Sequence, residues 1–228
     1  VPIAVTAFSK TQLQNRGIEN VADLSALAPG LQVSKSPAND SISQISIRGN
    51  AEINPAIYWD PAVGIYLDGV YLGKSQGTVF DVVDLNRVEV LRGPQGTLYG
   101  RNSTAGAINI ISARPSLDGF SGRAAVGYGN YSTADVEGMV NIPLSDQFAV
   151  RFSGKYIDQG EGFYFDTSDN DDVGKRNVLL GRAQALWRPS DTFEALLKIE
   201  GQKVRSEVGA GEFFGALPNG TATCPGSP

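Results

Sequence analysis

The second half of this 228-residue chain alternates apolar and polar residues with a period of two, over unusually long runs. Between positions 148 and 157, Phe148, Val150, Phe152, Gly154 and Tyr156 share one face, and Ala149, Arg151, Ser153 and Lys155 share the other. Successive side chains of a strand point to opposite faces, so the pattern predicts a strand with one apolar and one polar side. The same alternation runs through 120–128, 134–142, 179–188 and 193–200. Strands of about ten residues cross a bilayer at a tilt of about 45°, whereas strands of soluble sandwiches usually run about 5–6 residues. Phe120, Tyr128, Tyr156, Trp187 and Phe193 lie at or near the strand ends, as an interfacial girdle would. Segments 143–146 and 189–191 read as tight turns. Segment 158–176 reads as a long acidic loop, and the chain after Val204 as another. Short turns on one side and long loops on the other favour an outer-membrane barrel over a soluble sandwich. Five strands cannot close a barrel and lipid tolerates no open edge, so a longer chain is expected. The start at Val1-Pro2, without a methionine or signal peptide, gives the same expectation of a processed chain or fragment.

Composition removes several chemistries. There is no histidine and only one cysteine, Cys224. That excludes an internal disulfide framework, a multi-cysteine zinc site and any imidazole-based triad. The net charge of −5 argues against nucleic acid. No run approaches the length of a membrane-spanning helix. The charge is unevenly placed: residues 1–115 carry nine basic and nine acidic side chains, while 116–228 carry ten and fifteen. The boundary therefore falls near Arg114-Pro115-Ser116.

Residues 1–115 read as mixed α and β. Ser9 caps a short helix through Gln14 that Gly17 stops, and a second helix is expected from Asn20 to Leu27. Brief strands are expected at 31–34, 42–48, 63–67, 70–72 and 106–112, and a mostly apolar run at 82–91. Asp68-Gly69 between two of them signals a tight hairpin. Gly93 to Gly100 lacks the Lys-Ser/Thr of a phosphate loop. The acidic run at 169–174 fails as a calcium loop, with Val173 and Leu180 at ligand positions.

The run Arg87-Val88-Glu89-Val90-Leu91-Arg92-Gly93-Pro94-Gln95-Gly96-Thr97-Leu98-Tyr99-Gly100, continued by Ser103-Thr104-Ala105-Gly106-Ala107-Ile108-Asn109-Ile110, closely resembles the plug signature of TonB-dependent outer-membrane receptors. Ile47-Arg48-Gly49 and Tyr66-Leu67-Asp68-Gly69-Val70-Tyr71 resemble two further plug segments, in the expected order. The resemblance implies an α+β plug domain over 1–115, followed over 116–228 by the first antiparallel transmembrane strands, about five of a barrel of roughly 22. It implies import of a scarce ligand, most often a ferric siderophore, driven by a TonB-ExbB-ExbD complex pulling a TonB box that this chain does not show. A cobalamin, oligosaccharide or aromatic cargo and a surface β-rich binding module are the alternatives. Outer-membrane lipid is an implied partner. No cofactor, metal or catalytic group is expected.

By the same resemblance, plug loops at the external apex meet the ligand. Arg48, the 50–61 loop with Tyr58, Trp59 and Asp60, and Tyr71, Lys74, Ser75 and Gln76 are the candidates. Cations, aromatics, amides and hydroxyls suit an anionic, oxygen-rich ligand. Gly93, Gly96, Gly100 and Gly106 permit the tight bends of a small globule, and Tyr99 lies within the signature. Arg87, Glu89, Arg92 and Arg101 are too many charges for an apolar core. They suit a wet plug–wall interface opposite inward wall residues such as Arg123, Asp135, Glu137 or Arg151. Glu89 and Arg92 are expected to form salt bridges with wall or plug partners.

Overall fold

The computed structural model describes residues 4–18, 20–26, 28–36, 39–51, 60–73, 82–100, 102–166 and 170–207. The N-terminal unit runs β1 (Ala4–Ser9), α1 (Lys10–Asn15), a 3-10 helix (Val21–Ala26), β2 (Leu31–Ser36), β3 (Asn39–Ile47), β4 (Asn50–Ala51), β5 (Val63–Leu67), β6 (Val70–Leu72), β7 (Leu85–Arg92), α2 (Gly96–Tyr99) and β8 (Gly106–Ser112). Gln12 reaches back to the Ser9 amide at 2.9 Å and so holds the start of α1, while Gly17 follows its end at φ 62°. The second expected helix is a 3-10 turn. Asn20 accepts the Ala22 amide at 2.8 Å and Asp23 accepts that of Asn20 at 2.9 Å, so side chains satisfy the first donors of a turn too short to continue.

A five-stranded sheet orders these strands β1-β7-β8-β5-β6, with β5 parallel to β8 and the other pairs antiparallel. Its two faces do different work. Phe8, Ile65, Val88, Val90, Ile108 and Ile110 bury one face against Leu13, Leu24 and Ile47. The opposite face carries a smaller cluster of Tyr66, Leu91 and Ala107 packed with Tyr71 and Tyr99. Gly106 is needed for closure. A Cβ there would lie 2.2 Å from the Leu91 carbonyl oxygen and 2.7 Å from Ile47 Cδ1. The strand expected from Val82 begins only at Leu85, because Asp84 adopts φ 50° and turns the chain before pairing starts.

The C-terminal part is one antiparallel meander of β9 (Ser121–Gly129), β10 (Thr133–Ser145), β11 (Phe148–Gln159), β14 (Arg176–Ser190) and β15 (Phe193–Ser206), in the order β15-β14-β11-β10-β9. A small hairpin of β12 (Tyr164–Asp166) and β13 (Asp171–Val173) stands in the connection between β11 and β14. The strands extend beyond the expected bounds, to 15 residues in β14. Both tight turns follow an irregularity in register, at Pro143/Ser145 and at Trp187/Ser190. At the opposite end the connection from β11 to β14 is long, and the second expected loop, after Val204, falls beyond β15 and lies outside the described residues from 208 on. Asn130-Tyr131-Ser132 turns β9 into β10 within three residues, with Tyr131 and Ser132 at φ 58° and 49°.

Polarity in this sheet is the inverse of a water-soluble one. Val126 is 81% exposed, Leu197 63% and Ile199 65%, while Arg151, Lys155, Arg182 and Gln184 are buried. The polar face packs on the N-terminal unit and the apolar face is left open.

Candidate functional site: a polar seam between plug and wall

One row across the long-stranded sheet carries most of the seam. Asn141, Arg151, Gln184 and Lys198 stand directly opposite one another on β10, β11, β14 and β15. Each reaches the N-terminal unit or the segment that leaves it. Arg151 Nε and Nη2 donate to the two carboxylate oxygens of Asp84, at 2.5 and 2.7 Å. Gln184 Nε2 donates to the Ala113 carbonyl at 2.9 Å. Lys198 Nζ binds the Asp68 carboxylate. Asn141 accepts the Ser116 amide at 2.8 Å and donates to the Ser116 and Gly119 carbonyls at 2.9 and 3.0 Å. In the next row, Arg182 donates to the Val83 carbonyl at 2.9 Å and pairs with Glu200 at 2.7 Å.

The two plug-side carboxylates share a local device. Asp68 and Asp84 both adopt φ 50°, a left-handed conformation that Asp tolerates better than most residues. Asp68 opens the Asp68-Gly69 hairpin turn, and Ser112 fixes its carboxylate with an amide at 2.8 Å and a hydroxyl at 2.6 Å. Burial alone would raise the Asp84 carboxyl. Arg151, by hydrogen bonds and charge, and then Lys10 at 3.2 Å outweigh that and hold it below the usual carboxylate range. Burial opposes ionisation of Asp68 too, and Lys198 and Ser112 overcome it. Beside this seam, a cavity of about 200 Å³ under α1 is lined by Lys10, Asp84, Arg123, Asp135, Glu137 and Lys155 together with the apolar Leu13, Ile18, Val82, Leu85 and Ala125. It is large enough for water, which its charged residues can bind.

The signature charges sit elsewhere. Arg87 pairs with Glu89 at 2.6 Å, and Asn109 donates to Glu89 at 3.0 Å. Burial pushes the Glu89 carboxyl up, and those two donors bring it below its ordinary value. Arg92 donates to the Thr6 hydroxyl at 2.9 Å, so its partner is not a carboxylate. Of the expected wall partners, Arg123 pairs with Glu137 at 2.7 Å and Asp135 with Lys155 at 3.4 Å, all within the wall. Only Arg151 crosses, and it meets Asp84 instead of the signature. Gly93 at φ 93° and Gly100 at φ 72° shape the loop around α2, which begins at Gly96. The Tyr66 hydroxyl donates to the Tyr99 carbonyl at the end of α2.

Arg48 is exposed at φ 56° in the turn after β3, its amide donating to the Gly30 carbonyl at 2.8 Å. Asp60 is exposed. Tyr71 is half-buried against Tyr66, and its hydroxyl accepts from Asn102 at 2.8 Å. Tyr58, Trp59, Lys74, Ser75, Gln76, Arg101 and Cys224 lie outside the described residues. Among the described residues, no His, Cys, Asp and Glu group is placed to hold a metal ion.

A family model for the TonB-dependent receptor plug domain matches residues 1–107. Residues 1–107 belong to the TonB-dependent receptor plug domain family. The strands that follow share the fold of a solved outer-membrane receptor, and the curated relatives are named as receptors. The chain is 28% identical over 193 residues to the pesticin receptor of Yersinia enterocolitica, covering 83% of this chain and 28% of that protein. It is 30% identical over 154 residues to the catecholate siderophore receptor Fiu of Escherichia coli K12, covering 65% and 18%. The solved ferric yersiniabactin uptake receptor FyuA of Yersinia pestis superposes with a TM-score of 0.72 at 29% identity, over 83% of this chain and 29% of that one. The chain thus spans under a third of these relatives.

The seam residues that sequence reasoning missed are Asp68, Asp84, Asn141, Arg182, Gln184 and Lys198. Asp84 had a visible signal, a charge set directly between the apolar pair Val82-Val83 and Leu85. The wall residues had another, since alternation placed Arg182, Gln184 and Asn141 on the polar faces of their strands.

Proposed function

We propose that residues 1–115 are the plug and 116–228 the opening strands of a barrel of about 22 strands, which imports a ferric siderophore on energy delivered by a TonB-ExbB-ExbD complex. The observation that carries this is the seam. The plug meets the wall through Arg151, Gln184, Lys198, Asn141 and Arg182, by ion pairs and hydrogen bonds, beside a cavity with charged residues in its lining. Such contacts hold a plug in place and exchange for water when it is pulled. The siderophore assignment is supported by relatives named for a catecholate siderophore and for ferric yersiniabactin.

Orientation follows from register. β8 runs from Gly106 to Ser112 and leads to Ser116, which is bound beside the end with the short turns. Short turns mark the periplasmic side, so Gly93, Tyr99, Gly100 and Gly106 face the exterior. Arg48, Asp60 and Tyr71, with Tyr58, Trp59, Lys74 and Gln76, are the ligand contacts we assign. Growth of a deletion strain carrying the full-length gene on single iron sources tests the cargo. Growth restored on one ferric siderophore is expected. Equal growth with and without the gene on every ferric siderophore, and restored use of a cobalamin or oligosaccharide, would overturn it. A full-length protein soluble without detergent would overturn the barrel itself.

A further inference from the structure

Among the described residues, Arg151 is a buried wall cation whose counter-ion belongs to the plug. It stands on β11, an interior strand with β10 on one side and β14 on the other. Asn141 and Gln184 lie opposite it, and Ala149 and Ser153 flank it on its own face. Of the diagonal positions on the neighbouring strands, Arg182 alone is charged. No acidic residue of the wall adjoins Arg151. Arg123, Lys155 and Arg182 differ, because they pair with Glu137, Asp135 and Glu200 of the wall itself.

Asp84 supplies what the wall lacks. Its two oxygens take Arg151 Nε and Nη2 side by side, which is how a free carboxylate sits on a guanidinium. Ser153 adds a buried hydroxyl with no hydrogen-bond partner among the described residues, and a hydroxyl can donate to an anion. Gln184 Oε1 is likewise buried and unpartnered, but an amide oxygen carries no charge to balance a guanidinium. Withdrawal of the plug removes Asp84 from Arg151 and the Val83 carbonyl from Arg182, and Glu200 stays with Arg182 alone. Arg151 is then a two-pronged donor on the lumen surface with no anion of its own. The resting plug fills that receptor with one of its own side chains.

We propose that Arg151 centres a carboxylate-binding site on the wall, closed by Asp84 at rest and open to an anionic group of the cargo once the plug withdraws. The inference rests on the plug reading above. Its test uses the purified full-length receptor and no uptake, so the two fail separately. The probe is acetate at neutral pH, which is the aspartate side chain cut at its Cα–Cβ bond. Asp84→Gly leaves the matching hole and accepts φ 50° without strain. Hydrogen exchange over residues 82–92 is compared in acetate, acetamide and chloride at equal concentration. In Asp84→Gly, acetate sits between Arg151 and Lys10, which also reaches Asp84 at 3.2 Å. At about 100 mM and a dissociation constant of about 10 mM, it is expected to slow exchange about tenfold. In wild type, acetate gains Arg151 only when Asp84 has left, so it is expected to speed exchange about twofold, as a ligand near its dissociation constant would. Adding Arg151→Met to Asp84→Gly abolishes the slowing. Heat-modifiable migration confirms that each variant is folded, and the wild-type measurement decides if Asp84→Gly does not assemble. Exchange in wild type equal in all three solutions, or slowing that survives Arg151→Met, would overturn the proposal.

Discussion

Replacing Asp84 by asparagine isolates the strongest contact of the seam. Asn keeps the shape and tolerates the left-handed backbone at φ 50°. It removes the charge that faces Arg151, a side chain only 6% exposed. Breaking a buried pair from one side costs about 3–5 kcal/mol, because the remaining charge is stranded. The amide oxygen of Asn still accepts one bond, so the lower end of that range applies. About 3 kcal/mol corresponds to faster opening on the order of a hundredfold. Hydrogen exchange of the full-length receptor, followed by mass spectrometry over residues 82–92, measures that opening. Asp84→Asn/Arg151→Met strands no charge and is expected to exchange more slowly than Asp84→Asn alone. Exchange within twofold of wild type in the single variant, or a double variant at least as labile, would refute the argument.

Acid should act on the same contact in one direction only. The folded Asp84 carboxyl titrates below its ordinary 3.8, so its stabilisation is full above that value and lost as pH falls through the lower folded value. Exchange over 82–92 is expected to show no extra opening from about pH 5 to 8 after correction for intrinsic rates, and to rise only in stronger acid. Leu197→Arg places a charge on the lipid face and is expected to cost about 2–4 kcal/mol if the site lies near the midplane, read as loss of heat-modifiable, membrane-inserted receptor. Gly106→Ala forces the Leu91 carbonyl aside and is expected to destabilise the plug by about 1–3 kcal/mol, read by protease sensitivity of the plug in the assembled receptor. Tyr66→Phe frees the Tyr99 carbonyl and is expected to cost about 1 kcal/mol, seen as faster exchange across residues 95–105.

The wall was legible because its two solvents differ along every strand. Phe152 and Tyr156 are exposed and Arg151, Ser153 and Lys155 buried, in the alternation that 148–157 displays. The hairpin at Asp68-Gly69 and strand β8 at Gly106–Ser112 were equally legible, since positive-φ glycine and a dense apolar run are local signals. The partners across the seam were not. Arg151 and Asp84 are 67 residues apart, and nothing local tells an arginine which carboxylate will lie beneath it. Arg87 and Glu89 illustrate the opposite case. Two residues apart on one strand face, they satisfy each other and need no distant partner. The 3-10 turn at Val21–Ala26 departed from the expected α-helix because Asn20 and Asp23 supply side-chain acceptors that compete with helix propagation.

Three of the wall side chains in the seam, Arg182, Gln184 and Asn141, address main-chain carbonyls, those of Val83, Ala113, Ser116 and Gly119. Every amino acid presents that oxygen. Those four positions can therefore change identity without loosening the seat, provided the chain keeps its course through the lumen. Asp68, Asp84 and Arg114, which pairs with Glu194 on β15, are tied to their side chains. A plug grafted from another receptor would consequently have to match this wall in backbone path, in two carboxylates and in one guanidinium, and could differ from it at the four carbonyl positions.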